Sequence, residues 1–447
     1  MKAIQDNNGL YNFLSPIVQF GTCCHYHHFD VHGIENLPKE GSYIIAPCHQ
    51  QALMEPLAVL KFSPKPPVFL ARADIFAKPV IRAILTFLKI LPVYRQRDGQ
   101  RNLTQNNEIF DLSRNVLLDG YPLCLMAEGR HNDRHHLLNM GKGMFRIAGE
   151  TQLKLGDHPL YIVPTGIDFD EYERPYANLV VNIGKPIPVQ QYMDTYRDNE
   201  PVALNEMRKD LATALSPLMH DIRHEEYYDE ILTLSQVQNK EMRRKEGLKN
   251  DAWNRFRMRQ LISQRLDAKA ADPDEEFSRE MEKARNYINV CKELRMRPVD
   301  VAEHWGLAAT TLSALFIAGL VVAAVMMAPV RWVLLFFLLC CPIIFIPTHL
   351  LMKKLIADPQ FRSSVNFGVR FLLSIVYGII ISIVIACGKG LWMSQLADIG
   401  AWWGVVAVAV VHVGAMLSAT IVNGLKATGN NLRYWWFRLT KKLEVLD

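Results

Sequence analysis

Hydrophobic positions fall in two different patterns along the chain. From about residue 29 to 188, short apolar runs alternate with stretches of helical periodicity. The runs at 43–47, 68–71, 123–126, 160–164 and 179–183 predict strands, and several are apolar at every position, as strands buried on both faces are. Residues 79–90, 107–119 and 142–150 predict helices between them. Such alternation predicts an α/β domain. Residues 200–297 then turn long, charged and helix-forming, for example over 234–266, with a break at Asp272-Pro273. That stretch reads as an amphipathic helical connector.

Beyond Gly306 charge almost disappears. Residues 306–351 carry one charge, Arg331, and Pro329-Val330-Arg331 splits them into two apolar runs. A third run covers 371–387 and a fourth 402–422, interrupted only by His412. Each has about the length that crosses a hydrocarbon core of roughly 30 Å as a helix. Pro342 and Pro347 predict a kink in the second run. The basic residues set an orientation. Lys283, Arg285, Lys292, Arg295 and Arg297 precede the first run, and Lys353, Lys354, Arg362 and Arg370 separate the second from the third. Lys426, Arg433, Arg438, Lys441 and Lys442 follow the fourth, whereas the opposite turns hold only Arg331 and Lys389. Four crossings place all three basic segments on one side, which is then cytoplasmic. The expectation is an integral, multi-pass membrane protein with its hydrophilic domain on the cytoplasmic face. No basic start followed by an apolar stretch and a small-residue cleavage site opens the sequence, so no secretory signal is expected. Residues 10–20, short, apolar and aromatic, suit an interfacial segment and a packed core helix equally well.

Composition alone hides this division. The 447 residues are 50% hydrophobic and 21% charged, and the mean hydropathy of +0.03 averages a charged part with an apolar one. With 50 Lys and Arg against 45 Asp and Glu, the net charge of +5 is too balanced for a nucleic-acid partner. The eight cysteines form no regular framework, which fits a reduced compartment. Metal-ligand residue types gather at Cys23-Cys24-His25-Tyr26-His27-His28 with His32, and at His131, His135 and His136. Their spacing matches no standard site, and no metal is expected.

Four blocks carry candidate chemistry. In Ala46-Pro47-Cys48-His49-Gln50-Gln51-Ala52-Leu53-Met54-Glu55-Pro56, a histidine leaves a predicted strand and a carboxylate follows six residues later. Six steps on one helix would separate them in angle, but Pro56 suits a helix's first turn, with Glu55 near its cap. From there the carboxylate can reach back to the ring, hold one tautomer and leave the other nitrogen to take a proton from a hydroxyl. In Leu91-Pro92-Val93-Tyr94-Arg95-Gln96-Arg97-Asp98-Gly99, a short strand ends in arginines that can fork onto a phosphate or sit in a solvated turn. The third block sends Glu128, Gly129, Arg130, Asp133 and Arg134 into a loop beyond a buried strand, where α/β folds bind ligands. The fourth, Ile162-Val163-Pro164-Thr165-Gly166-Ile167, contributes shape rather than chemistry. Cys48, beside His49, reads as a packing residue rather than a nucleophile.

In this order and spacing, the blocks resemble the phospholipid/glycerol acyltransferase superfamily over about residues 31–189, closest to its subgroup with His, five residues, then an acid and Pro. That resemblance implies an α/β acyltransferase domain (residues 29–199) after an N-terminal apolar segment (1–28). A charged helical connector (200–304), a C-terminal four-helix transmembrane module (305–425) and a basic cytoplasmic tail (426–447) follow. By the same resemblance His49 and Glu55 map onto a catalytic dyad. Arg95, Glu128, Gly129, Arg130 and Arg134 would bind the acceptor's glycerol-phosphate group, and Pro164 belongs to the block on the acyl side. The implied reaction moves a fatty acyl group from an acyl thioester to a hydroxyl of glycerol-3-phosphate or a lysophospholipid. No cofactor is implied beyond acyl-CoA or acyl-ACP as co-substrate. The expected partners are membrane lipids and the thioester donor, with acyl-carrier protein as one form of that donor. Two departures stand out: Glu55 replaces the usual Asp, and Ala127-Glu128-Gly129-Arg130-His131 replaces the usual Pro-Glu-Gly-Thr-Arg. A lyso-aminolipid acceptor and an inactive lipid-binding descendant therefore stay open as alternatives.

Overall fold

A computed structural model describes residues 3–51, 53–94, 105–126, 128–130, 134–171, 177–327, 361–362, 364–373, 376, 379 and 424–440. The chain divides into two compact units, residues 1–225 with 248–267, and residues 226–247 with 268–447. Residues of the charged stretch 200–304 thus contribute to both.

The first unit is built on one sheet of eight described strands: β1 (His28–His32), β2 (Ser42–Pro47), β3 (Val68–Arg72), β4 (Ile90–Val93), β5 (Leu123–Cys124), β6 (Leu160–Phe169), β7 (Asn178–Ile183) and β8 (Ile187–Pro188). Their order is β1-β7-β6-β2-β5-β3-β4, with β8 also on β6. All pairings are parallel except β6 with β7 and β6 with β8. The α/β expectation is therefore met. All six residues of β2 are buried, as an apolar run between two parallel neighbours requires. Helices α1 (Gly9–His25), α2 (Met54–Phe62), α3 (Pro79–Phe87), α4 (Gln105–Leu118) and α5 (Gly143–Leu155) connect or flank the strands.

Some boundaries differ from the sequence pattern, each for a local reason. The helix expected over 79–90 stops at Phe87, because Lys89 takes a left-handed conformation (φ 61°) and the chain enters β4. The Lys89 ammonium donates to the carbonyls of Ile4 and Asp6 at 2.9 Å each, which holds the turn. β6 continues past 164 to Phe169, and Pro164 is tolerated because the strand changes neighbours there. Tyr161 and Ile162 pair with β8, whereas pairing to β7 begins at Thr165, so no ladder donor is missing at Pro164. β1, His-Phe-Asp-Val-His, has too little apolar signal to be read as a strand, yet it pairs with β7 over its whole length. The helical stretch at 234–266 is interrupted: one helix ends at Lys245, Gly247 adopts φ 65°, and a new helix runs Ala252–Ala270. On the first unit, Ala252 and Phe256 of that helix pack against Val180, and Trp253 stacks on His32.

The second unit contains helices Tyr228–Val237, Asn239–Lys245, Glu275–Glu293, Pro298–Ala302 and Leu307–Met326. Its core includes Cys291, Met296, Val301 and Tyr434, and Arg285 donates to Glu230 at 2.7 Å. The expected four-helix transmembrane module is not carried by the described residues, among which no helix is long and apolar enough to cross a membrane. The nearest is Leu307–Met326, 20 uncharged residues in which the side chain at 324 lies outside the description. The second and fourth apolar runs and most of the third also lie outside the described residues.

Candidate active site

β2 runs parallel between β6 and β5, so the segment leaving its carboxyl end is flanked by both neighbours. The chain continues the β2–β6 contact beyond Pro47: the Cys48 amide donates to the Thr165 carbonyl at 3.2 Å. The Cys48 thiol donates to the Ile167 carbonyl (3.3 Å) and accepts from the Ile167 amide (3.1 Å). Burial, with Glu128 nearby, pushes this thiol well above its ordinary range, so Cys48 is a stitch between strands and a poor nucleophile. His49 comes next, at the strand-to-helix turn.

Glu55 is the second residue of α2 and Pro56 the third, inside the first turn where proline's missing N–H costs nothing. The Glu55 side chain reaches back to the turn. One carboxylate oxygen stands 3.2 Å from His49 Nδ1, with Glu55 fully buried and the His49 side chain 15% exposed. The other accepts the amides of Gln50, at 2.6 Å, and Gln51. The carboxylate is thus fixed by two backbone donors and spends its remaining oxygen on the imidazole. With the Nδ1 proton directed at Glu55, Nε2 carries the lone pair.

Glu128 lies in the turn after β5, beside β2. Its carboxylate accepts the His49 amide at 2.9 Å and the Leu138 amide at 3.1 Å. It therefore clamps the backbone of His49 to the loop at 138, a use the sequence did not signal. Burial raises its pKa to about 7, against the lowering effect of both hydrogen bonds and of His49. A carboxyl group raised in the folded state binds a proton that the unfolded chain has lost, so stability falls as pH rises between those two pKa values. Glu128→Gln removes this titration. We expect the wild type to lose about 3 kcal/mol relative to the variant between pH 4.5 and 8. Chemical denaturation across that range measures it, and parallel curves would refute the assignment.

The structure brings His49, Glu55 and Glu128 together. Gly129 (φ 64°) and Arg130 follow Glu128 and are exposed, and Arg134 is exposed further along the loop. Pro164 is buried in β6, in register with Ala46, and its carbonyl accepts the Gly184 amide at 2.9 Å. Arg95 lies outside the described residues. A separate buried group, His135, Asp168 and His220, was not foreseen; it draws on three distant stretches of chain.

Residues 28–168 match the family model described as Acyltransferase. No curated protein matches the chain significantly. Among solved structures, the 1-acyl-sn-glycerophosphate (LPA) acyltransferase PlsC of Thermotoga maritima is similar at 17% identity, over 47% of this chain and 83% of that one, with a TM-score of 0.33. That likeness by itself fixes neither activity nor substrate.

Proposed function

We propose that the chain, whose residues 28–168 match the acyltransferase model, moves a fatty acyl group from acyl-CoA or acyl-ACP to a hydroxyl of glycerol-3-phosphate or a lysophospholipid such as 1-acylglycerol-3-phosphate, in phospholipid biosynthesis. The observation that carries this reading is the buried Glu55 carboxylate at 3.2 Å from His49 Nδ1. His49 Nε2 takes the proton of the acceptor hydroxyl as its oxygen attacks the thioester carbonyl. Glu55 holds the tautomer and stabilises the imidazolium that forms. The tetrahedral intermediate collapses with loss of the thiol, which recovers the proton from His49, so no acyl-enzyme is needed.

Exposed Arg130 and Arg134 support an acceptor bearing phosphate, with Arg95 as a third candidate contact. A membrane setting is supported by apolar exposure in the first unit. Leu10, Phe13, Ile17 and Phe20 of α1 and Val80 and Ile84 of α3 all face outward, and a Tyr11–Phe87 ring contact at 6.2 Å joins the two helices. In this reading α1 lies in the interface and the apolar runs after 306 anchor the chain as a multi-pass protein, with the acyltransferase domain on the cytoplasmic face.

The test is transfer of radiolabelled acyl-CoA by membranes holding the full chain, against a panel of acceptors. Labelled 1-acylglycerol-3-phosphate or phosphatidic acid is the expected product. Labelling of a lyso-aminolipid alone would overturn the phosphate acceptor. With the chain present and folded, no transfer from either thioester would leave the inactive lipid-binding reading. Release of the chain by alkaline carbonate would overturn the multi-pass anchor.

A further inference from the structure

We propose that His135, Asp168 and His220 form a buried site for one divalent metal ion of the zinc type. His135 stands in the loop after β5, Asp168 near the end of β6, and His220 just after a short 3-10 turn, Ser216–Leu218. One ligand atom from each lies within 4.8 Å of the others. The three residues are 4%, 2% and 0% exposed.

Two orphaned atoms give the cluster its direction. Asp168 Oδ1 and His220 Nδ1 are buried without a hydrogen-bond partner, a condition that native interiors rarely leave unexplained. Asp168 Oδ1 is 3.7 Å from His135 Nδ1, while the other Asp168 oxygen pairs with Arg259. His220 Nε2 meets Ser263 Oγ at 2.7 Å. An imidazole that donates from Nε2 to a hydroxyl carries a bare lone pair on Nδ1, the usual outer-shell arrangement of a ligating histidine. Burial keeps both rings neutral: the pKa of His135 falls to about 3, helped by Arg259, and that of His220 falls well below its ordinary value. Neutral imidazole is the ligating form.

Arg259, paired with Asp168, opposes a second positive charge. Against it stand several carboxylates. Glu128, Glu55 and Asp168 all act on the neighbouring Cys48 thiol, and Asp170 acts on Asp168. Asp168 is the anionic ligand of the set and would meet part of a dication's charge. Two imidazole nitrogens and one carboxylate oxygen suit zinc and are too few oxygens for calcium or magnesium. With bonds of about 2.0–2.2 Å, the three side chains close inward around the ion. Binding would tie the loop after β5 to β6 and to the segment at 220. That loop already bonds this segment through the Ile222 amide on the His135 carbonyl and the Leu137 amide on Asp221.

The test is metal analysis of the purified full chain in detergent. The protein is incubated with a tenfold excess of Zn2+, desalted and measured by mass spectrometry. About one equivalent of zinc is expected in the wild type and in His28→Gln, an exposed control. His220→Gln and Asp168→Asn should each lower it at least tenfold. Less than a tenth of an equivalent in the wild type would overturn the proposal, as would equal zinc in wild type and variants. Should the variants fail to fold, the wild type decides alone: Zn2+ must raise its melting midpoint and a chelator must reverse the rise. A midpoint indifferent to both would refute the site.

Discussion

His49→Ala should lower acyl transfer by about 10²–10⁴-fold, the usual contribution of a positioned general base. The loss should appear in kcat, because the ring acts on the proton in flight rather than on the resting acceptor. Folding should survive, since Glu55 keeps the Gln50 and Gln51 amides and the His49 amide keeps Glu128. Glu55→Gln is the sharper companion. Its carbonyl oxygen can still accept the two amides, but its NH₂ then faces Nδ1 and favours the tautomer with the proton on Nε2. That tautomer cannot act as base, so a loss of about 10²-fold or more is expected. Glu55→Asp keeps the charge but shortens the reach, and should retain more activity than Glu55→Gln. Initial rates with labelled acyl-CoA decide the matter. Transfer by His49→Ala within tenfold of wild type would remove the base from the mechanism.

Gly166→Ala should destabilise the fold strongly. A Cβ there would stand 2.0 Å from the Leu218 carbonyl oxygen and 2.4 Å from its carbon. Both are backbone atoms and cannot rotate away. Either β6 shifts, disturbing its pairing with β2 and β7, or the segment at 218 lifts off. A cost of about 3 kcal/mol or more is expected from overpacking at such a contact. Gly141→Ala is the control, because nothing lies within 4 Å of its Cβ position. Melting midpoints of the three proteins make the comparison, and a Gly166→Ala midpoint equal to that of wild type would contradict the close approach.

Gly166 also illustrates what the sequence could express. Pro164 and Gly166 mark a strand of unusual shape, but the reason lies in a carbonyl some fifty residues later, about which local pattern is silent. The strands legible beforehand, such as β2, β6 and β7, were those whose apolar runs record burial on both faces. β1 is polar and β8 is a two-residue partner to β6, so each depends on pairing rather than on its own composition, whereas β5, expected over 123–126, forms only over Leu123–Cys124. At the candidate site, the approach of Glu55 to His49 could be anticipated because both lie in one turn and Pro56 announces the helix. The embrace of the His49 amide by Glu128 could not, since it arises from β5 lying beside β2. The resemblance put Glu128 among acceptor contacts; the structure finds both its oxygens engaged with backbone amides. His135, Asp168 and His220 were invisible as a group for the same reason.

The return of residues 248–267 to the first unit bears on how this protein can be dissected. A fragment stopped at 225 would contain every described strand and the His49–Glu55 pair, and would look complete by motif. It would lack Phe256, and it would strand Asp168 in the interior without Arg259. A buried carboxylate stripped of its cation is among the costlier defects a fold can carry. The smallest piece that keeps the first unit whole is therefore discontinuous, and the excursion through 226–247 is the place where an artificial linker could be tried.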